Sequence, residues 1–260
     1  MKRLADLAAP LVLLALLLAG WELACRAFAV PVYFLPPPSA VAQALWARGP
    51  LLLLSGWNTL QMALLGLLLA SVVSVAVALA ASLHRSLEKA VRPLAIALQV
   101  TPVIAIAPIV SIWAGLDHPE RAVIGLAAVV AFFPILSGML TGLNATDPDL
   151  SRLFRLYGAS RMQTLMRLRL PSAVPFVIEG HRVAAGLAVI GAVVAEMVAG
   201  SGATQGLAWR ILEAHNRLRT AEMLAALVAV VILGLLVHLL MGLIERAVLG
   251  RWRGGALAGG

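Results

Sequence analysis

Long apolar runs alternate with short polar segments along most of this chain. About 20 consecutive apolar residues are enough for an α-helix to cross the hydrocarbon core of a bilayer, where all backbone polar groups must bond within the segment. The pattern predicts six such spans, at 8–29, 58–83, 94–116, 121–143, 174–199 and 223–247. We therefore expect an all-α fold, with one transmembrane domain over residues 1–260.

The segment between the first two spans is less uniform. Prolines at positions 36–38 stop any helix, and Ser39 is placed to cap a short helix that runs through Trp46. Because tryptophan favours the membrane–water interface, we expect this helix on the outer surface, with Trp46 and Trp57 at headgroup level.

Composition agrees with a membrane protein and excludes other classes. The chain is 62% hydrophobic and 12% charged, whereas soluble domains carry about 25% charged residues. The net charge of +8 does not indicate nucleic-acid binding, because the basic residues lie in short clusters beside the apolar spans. Cys25 is the single cysteine, which excludes an internal disulfide and, with scattered histidines, leaves no expected metal site.

The basic clusters also predict the orientation of the chain. If the N-terminus is inside, the loops on that side carry most of the cations, and the loops on the outer side carry few. An excess of Lys and Arg marks the cytoplasmic side of a membrane protein. We therefore expect both termini, and the polar loop at 147–171, in the cytoplasm.

The 147–171 loop, DPDLSRLFRLYGASRMQTLMRLRLP, is the most informative polar stretch. Asp147 and Asp149 are placed to begin a helix, since acidic side chains are favoured at its N-terminus. The apolar positions that follow at helical spacing end at Tyr157, and Gly158 is placed to end the helix. A second basic helix is expected from Ser160 towards Pro171, so the loop should form a helix–turn–helix with an inward apolar face.

This loop resembles the signature of ABC importer permeases, in which Glu-Ala-Ala, three residues, Gly, nine residues and Ile-x-Leu-Pro follow in order. Gly158 and the Leu168–Pro171 end match that spacing, whereas 152–154 read Arg-Leu-Phe in place of Glu-Ala-Ala. Further stretches are similar to the nitrate, sulfonate and taurine subfamily: FLPPPSAV at 34–41, AFFPIL at 131–136, LPSAVPF at 170–176, AVIGAVVAEM at 188–197 and RILEAHNRLRTAEMLAAL at 210–227.

The resemblance implies a six-span permease fold (type I importer, MetI-like) with a coupling helix between the fourth and fifth spans, in a bacterial inner membrane. It implies a homodimer, two cytosolic ATPase subunits and an extracytoplasmic solute-binding protein as partners, in contact with lipid. This chain would then be no enzyme and bind no cofactor, because ATP and Mg²⁺ are used by the ATPase. The residues that would bind the ATPase are Arg152, Arg155, Tyr157, Gly158, Ala159, Ser160, Arg161 and Met162.

Five residues within the spans are candidates for the translocation pathway. Glu196 is an acid late in the fifth span, where an ionisable group is costly unless it faces water or a partner; a structural contact is the equal alternative. Thr101, Pro102 and Pro108 interrupt the third span and can expose backbone to a wet route, or can form a packing kink. Trp113, near the outer end, fits a gate or an interfacial anchor.

Two other function classes fit the sequence less well than an ABC importer permease does. A secondary, ion-coupled transporter predicts several embedded acids or repeated halves with broken helices, and this sequence shows neither pattern. An intramembrane enzyme needs a nucleophile with a base or a metal cluster at recognisable spacing. The solute stays open among nitrate, sulfonates, taurine, bicarbonate and small heterocyclic vitamin precursors.

Overall fold

The computed structural model describes residues 2–83, 85–115, 117–199 and 204–257. Its α-helices are α1 (Lys2–Ala27), α2 (Pro38–Ala47), α3 (Gly49–Leu83), α4 (Arg85–Val100), α5 (Val103–Ala114), α6 (Pro119–Asn144), α7 (Pro148–Leu156), α8 (Arg161–Thr164), α9 (Leu170–Ala199), α10 (Leu207–Asn216) and α11 (Thr220–Leu257). A π-helical turn, Leu165–Arg169, joins α8 to α9.

Within the described residues, five helices are long and apolar enough to cross a membrane: α1, α3, α6, α9 and α11. They coincide with the first, second, fourth, fifth and sixth predicted spans. The all-α transmembrane fold is therefore confirmed, with up to six spans if the bent pair α4 and α5 counts as one.

The third predicted span, 94–116, is not one straight helix. Helices α4 and α5 meet at an angle of 101° at Thr101 and Pro102, and residue 116 lies outside the described residues. Pro102 has no N–H to donate, and its ring disfavours helical geometry at the preceding residue. Pro108, by contrast, lies inside α5. The predicted interruption of the third span is therefore at Pro102 and not at Pro108.

The short helix predicted after 36–38 is present as α2, but Ser39 does not cap it. The N-cap is Pro37, and Ser39 lies within the first turn. The carboxylate of Glu22 in α1 accepts hydrogen bonds from the backbone N–H of Ser39 at 2.9 Å and from its hydroxyl at 2.8 Å. An acid from the preceding helix therefore satisfies the free N–H at this helix start.

The chain divides into two compact units, Met1–Trp57 with Gln205–Val231, and Asn58–Thr204 with Ile232–Gly260. Polar contacts hold the first unit together, among them an ion pair of Arg48 with Glu222 at 3.1 Å. The second unit contains the extensive packing of α6 against α9. A single domain over 1–260 stays a prediction.

Small residues allow α6 and α9 to approach each other closely along their length. Alanines dominate the buried residues at this contact, including Ala131, Ala184 and Ala188. Lipid tails are as apolar as leucine, so helix association in a bilayer depends on close packing rather than on the hydrophobic effect. The glycines and alanines that both helices carry at this contact provide that close packing.

Glycines mark the points where the two backbones nearly touch. A Cβ placed on Gly138 would lie 2.6 Å from the carbonyl oxygen of Phe176, and one on Gly180 would lie 2.7 Å from that of Pro134. One on Gly142 would lie 2.8 Å from the Cα of Ala173. These positions admit no larger residue without separating the helices.

We expect Gly138→Ala to lower the thermal stability of the detergent-solubilised chain, because the added methyl group must push α9 away. Overpacking of this kind costs about 1–3 kcal/mol. The matched control is Gly186→Ala on α9, where nothing lies within 4 Å of the new methyl group. Its expected effect is neutral or slightly stabilising; equal melting temperatures for the two variants would contradict the close approach.

Candidate functional site

Two side-chain caps define the helices of the 147–171 loop. The Asp147 carboxylate accepts a hydrogen bond from the backbone N–H of Asp149 at 2.8 Å, at the start of α7. Ser160 and Gln163 form a capping box at the start of α8, with each side chain accepting from the other residue's backbone N–H, at 3.2 and 2.8 Å. Both helices begin where the sequence predicts, because local side chains satisfy their free N–H groups.

Gly158 makes the turn between the two helices. Its φ of +69° lies in the left-handed region that glycine adopts without a steric penalty. The next residue, Ala159, donates its N–H to the carbonyl of Phe154 at 2.9 Å, which closes the end of α7 in the manner of a glycine-terminated helix. The glycine is therefore needed for its backbone geometry.

The apolar residues of this loop face outwards more than the sequence predicted. No residue of α7 is buried, and Tyr157, expected on an inward stripe, is 83% exposed, as is Leu156. Met162 of α8 is exposed as well. Helical spacing predicts which residues share a face, but the direction of that face depends on what packs against it. Large apolar side chains therefore surround Gly158 on the surface.

The arginines of the loop have different environments. Arg152, at the position of the missing glutamate, forms an exposed ion pair with Asp149 at 3.0 Å. Arg155 and Arg161 have no acidic partner among the described residues, and both line an open hollow beside Ser82. Arg169 borders the same hollow. The loop thus presents unpaired positive charge next to its exposed apolar side chains.

Four of the five pathway candidates lie in the break between α4 and α5 or within α5. The hydroxyl of Thr101, in that break, donates to the carbonyl of Ala97 in α4 at 2.7 Å. Pro102 precedes the first residue of α5, Pro108 lies inside it, and Trp113 is exposed near its C-terminal end. A pathway role for these residues stays a prediction.

Glu196, the fifth candidate, is buried rather than exposed to an open route. It is 2% exposed, and its carboxylate accepts a hydrogen bond from the hydroxyl of Thr59 in α3 at 2.8 Å. Such a bond offsets part of the cost of an acid inside a membrane protein. The contact links α9 to α3, and whether Glu196 also lines the pathway stays a prediction.

An ion pair that the sequence pattern does not indicate joins α9 to α11. Arg182 contacts Glu245 at 2.8 Å, and its second terminal nitrogen lies 3.3 Å from Nε2 of His238. Because an arginine only donates, the histidine nitrogen is the acceptor in this contact. The two charged residues are 63 positions apart in sequence, so no local spacing could have revealed the pair.

A comparison with protein families matches residues 64–250 to the binding-protein-dependent transport system inner membrane component. A probable ABC transporter permease of Haemophilus influenzae is 32% identical over 88% of this chain and 91% of its own. A formylaminopyrimidine transport permease of Halalkalibacterium halodurans is 33% identical over 80% and 82%. The taurine transport system permease of Escherichia coli is 28% identical over 93% and 88%.

The chain belongs to the binding-protein-dependent transport system inner membrane component family. It is an ABC importer permease, as the resemblance implied, and the alternative of an ion-coupled transporter is not supported. The family is a transport component of the inner membrane rather than an enzyme, and the apolar helices of this permease agree with a multi-pass protein.

We expect the Arg182–Glu245 pair to stabilise the permease measurably. In a double-mutant cycle with Arg182→Gln and Glu245→Gln, each single variant leaves a half-buried charge without its ion-pair partner, and the double variant should lose less stability than the sum of the two. The expected coupling is about 0.5–3 kcal/mol, read from thermal unfolding in detergent.

The exposed pair Arg152–Asp149 provides the matched control, since solvent-exposed pairs contribute at most about 1 kcal/mol. If the coupling energy between Arg182 and Glu245 is no larger than that of the control pair, their contact does not hold α9 to α11.

Proposed function

We propose that this permease forms the solute pathway as a homodimer and that each copy binds one cytosolic ATPase through its 147–171 loop. An extracytoplasmic binding protein delivers the solute. ATP binding closes the two ATPases, and the loops transmit that movement to the spans. ATP and Mg²⁺ are bound by the ATPase.

The observation that carries the proposal is the exposed surface around Gly158. Leu156, Tyr157 and Met162 are large apolar side chains on a loop that follows a membrane span, and Arg155 and Arg161 beside them lack acidic partners among the described residues. Aromatic residues and arginine are the types that dominate protein–protein interfaces. A protein partner that covers this surface accounts for both features.

The local structure of the loop supports a docking role. Side-chain caps at Asp147 and Ser160 and the glycine turn between them order both helices before any partner binds. A surface that is ordered in advance loses less conformational entropy on binding. The excess of basic residues on this side of the spans supports its position in the cytoplasm, where an ATPase has access to ATP.

For the solute, we propose a small polar molecule of the kinds named by the sequence resemblance: nitrate, a sulfonate, taurine, bicarbonate or a small heterocycle. Selection among these takes place in the binding protein. Thermal-shift measurements on the binding protein encoded beside this permease, with these compounds as a panel, identify the solute directly.

We expect Tyr157→Ser to weaken binding of the ATPase to the permease by about tenfold or more, because aromatic residues at the centre of an interface often contribute 2 kcal/mol or more. The measurement is the amount of the neighbouring ATPase that co-purifies with tagged permease from detergent-solubilised membranes. The control is Tyr33→Ser, which changes the other tyrosine of the chain, also exposed but distant in sequence from the loop.

Retention of the ATPase by the Tyr157 variant at the level of the Tyr33 variant would remove the loop from the interface. If the unaltered permease co-purifies with no ATPase at all, the proposed partnership fails altogether.

A further inference from the structure

Arg169 connects the 147–171 loop to the ends of two other helices. It is the last residue of the π-helical turn before α9. Its Nε donates to the carbonyl of Leu143 at 2.9 Å, and one terminal nitrogen donates to the side-chain oxygen of Asn144 at 3.1 Å. The other terminal nitrogen lies 3.5 Å from the carbonyl of Ser82. One side chain therefore contacts the C-terminal ends of both α6 and α3.

These contacts suit the chemistry of a helix end. The last carbonyls of a helix have no donor within the helix and carry partial negative charge. Arginine offers five N–H groups in a rigid planar arrangement and stays protonated, so it can bind several such oxygens at once. Lysine, with a single nitrogen, cannot make the same set of contacts.

Asn144 extends the connection to a third helix. While its oxygen accepts from Arg169, its amide nitrogen donates to the carboxylate of Glu88 in α4 at 2.9 Å. The same oxygen of Glu88 also contacts Arg92 at 3.1 Å. The hydrogen bonds thus run from the loop through the end of α6 into α4.

An apolar contact from the same turn reaches the same helices. Leu165, the first residue of the π-helical turn, is buried in a cluster with Ala78 and Ala81 of α3 and Ala95 of α4. The turn therefore bonds the ends of α3 and α6 through one guanidinium and shares the apolar cluster of α3 and α4 through one buried side chain. Its other arginine, Arg167, is exposed and has no hydrogen bond to the described residues.

We propose that Arg169 is the positioning residue that makes α3 and α4 follow the movement of the 147–171 loop. The inference rests on the proposed function, in which a bound ATPase moves that loop. Without Arg169, the loop stays attached by the chain to α6 and α9, but the polar connection of the turn to α3 and α4 is lost. A permease without Arg169 should therefore still bind the ATPase through the loop but pass little of the movement of the loop to α3 and α4.

The test follows the cleft between α4 and α6 while nucleotide binds to the ATPase. Thr141 lines this cleft with Arg92 and Ala95 and is exposed. In a permease with Cys25→Ser and Thr141→Cys, a membrane-impermeant fluorescent maleimide reports the accessibility of the cleft. The assembled complex with the ATPase is compared with and without a non-hydrolysable ATP analogue and Mg²⁺.

We expect the analogue to change the labelling rate by about fivefold or more, the lower end of ordinary couplings between sites, in the otherwise unaltered permease and in the control Arg167→Ala. In Arg169→Ala most of the nucleotide response should be lost, because only the packing of Leu165 still joins the turn to α3 and α4, while the same amount of ATPase co-purifies. Arg169→Lys, which keeps the charge without the planar set of donors, should retain only part of the response.

Asn144→Ala supplies a second test if Arg169→Ala fails to assemble, because it breaks the connection to α4 and leaves Arg169 in place. A nucleotide response in the Arg169 and Asn144 variants equal to that of Arg167→Ala overturns the proposal, as does a cleft that never responds to nucleotide. Loss of ATPase binding in Arg169→Ala also overturns it, since Arg169 would then be a docking residue. An unaltered permease that binds no ATPase refutes the proposed function itself.

Discussion

The close approach of α6 and α9 is the constraint on which the second unit depends. In lipid, two apolar helices gain little from the hydrophobic effect, so they associate where their backbones can come close. Gly138 and Gly180 each face a backbone carbonyl of the other helix at a distance that excludes a side chain. Since α9 follows directly from the 147–171 loop, this contact determines the direction in which that loop joins the membrane.

Polar contacts add specific connections to this small-residue packing. Thr59 with Glu196 links α3 to α9, Arg182 with Glu245 links α9 to α11, and Arg169 joins the loop to α3 and α6. Each is a polar or charged group that finds its partner on another helix, and for the buried Glu196 such a partner offsets part of the cost of burial. Under the proposed function, an ATPase that moves the loop would act on helices that these contacts join to one another.

Sequence reasoning found the features that depend on local chemistry. Apolar run length predicts the spans, and Ser160 and Gly158 predict the start of α8 and the turn before it, because caps and left-handed turns involve neighbouring residues. It missed features that depend on distant residues. The outward position of Tyr157 and the partner of Arg182 follow from packing between segments far apart in the chain, and the bend of 101° at Thr101 exceeds what a proline alone indicates.

The most direct measurement of the central claim is photo-crosslinking in native membranes, with benzoylphenylalanine in place of Tyr157 or, separately, of Tyr33. The account predicts that the permease crosslinks to the ATPase from position 157 and not from position 33. Crosslinks from position 157 to lipid alone, with the ATPase present in the same membranes, would contradict the assignment of this exposed turn as the contact between the permease and its ATPase.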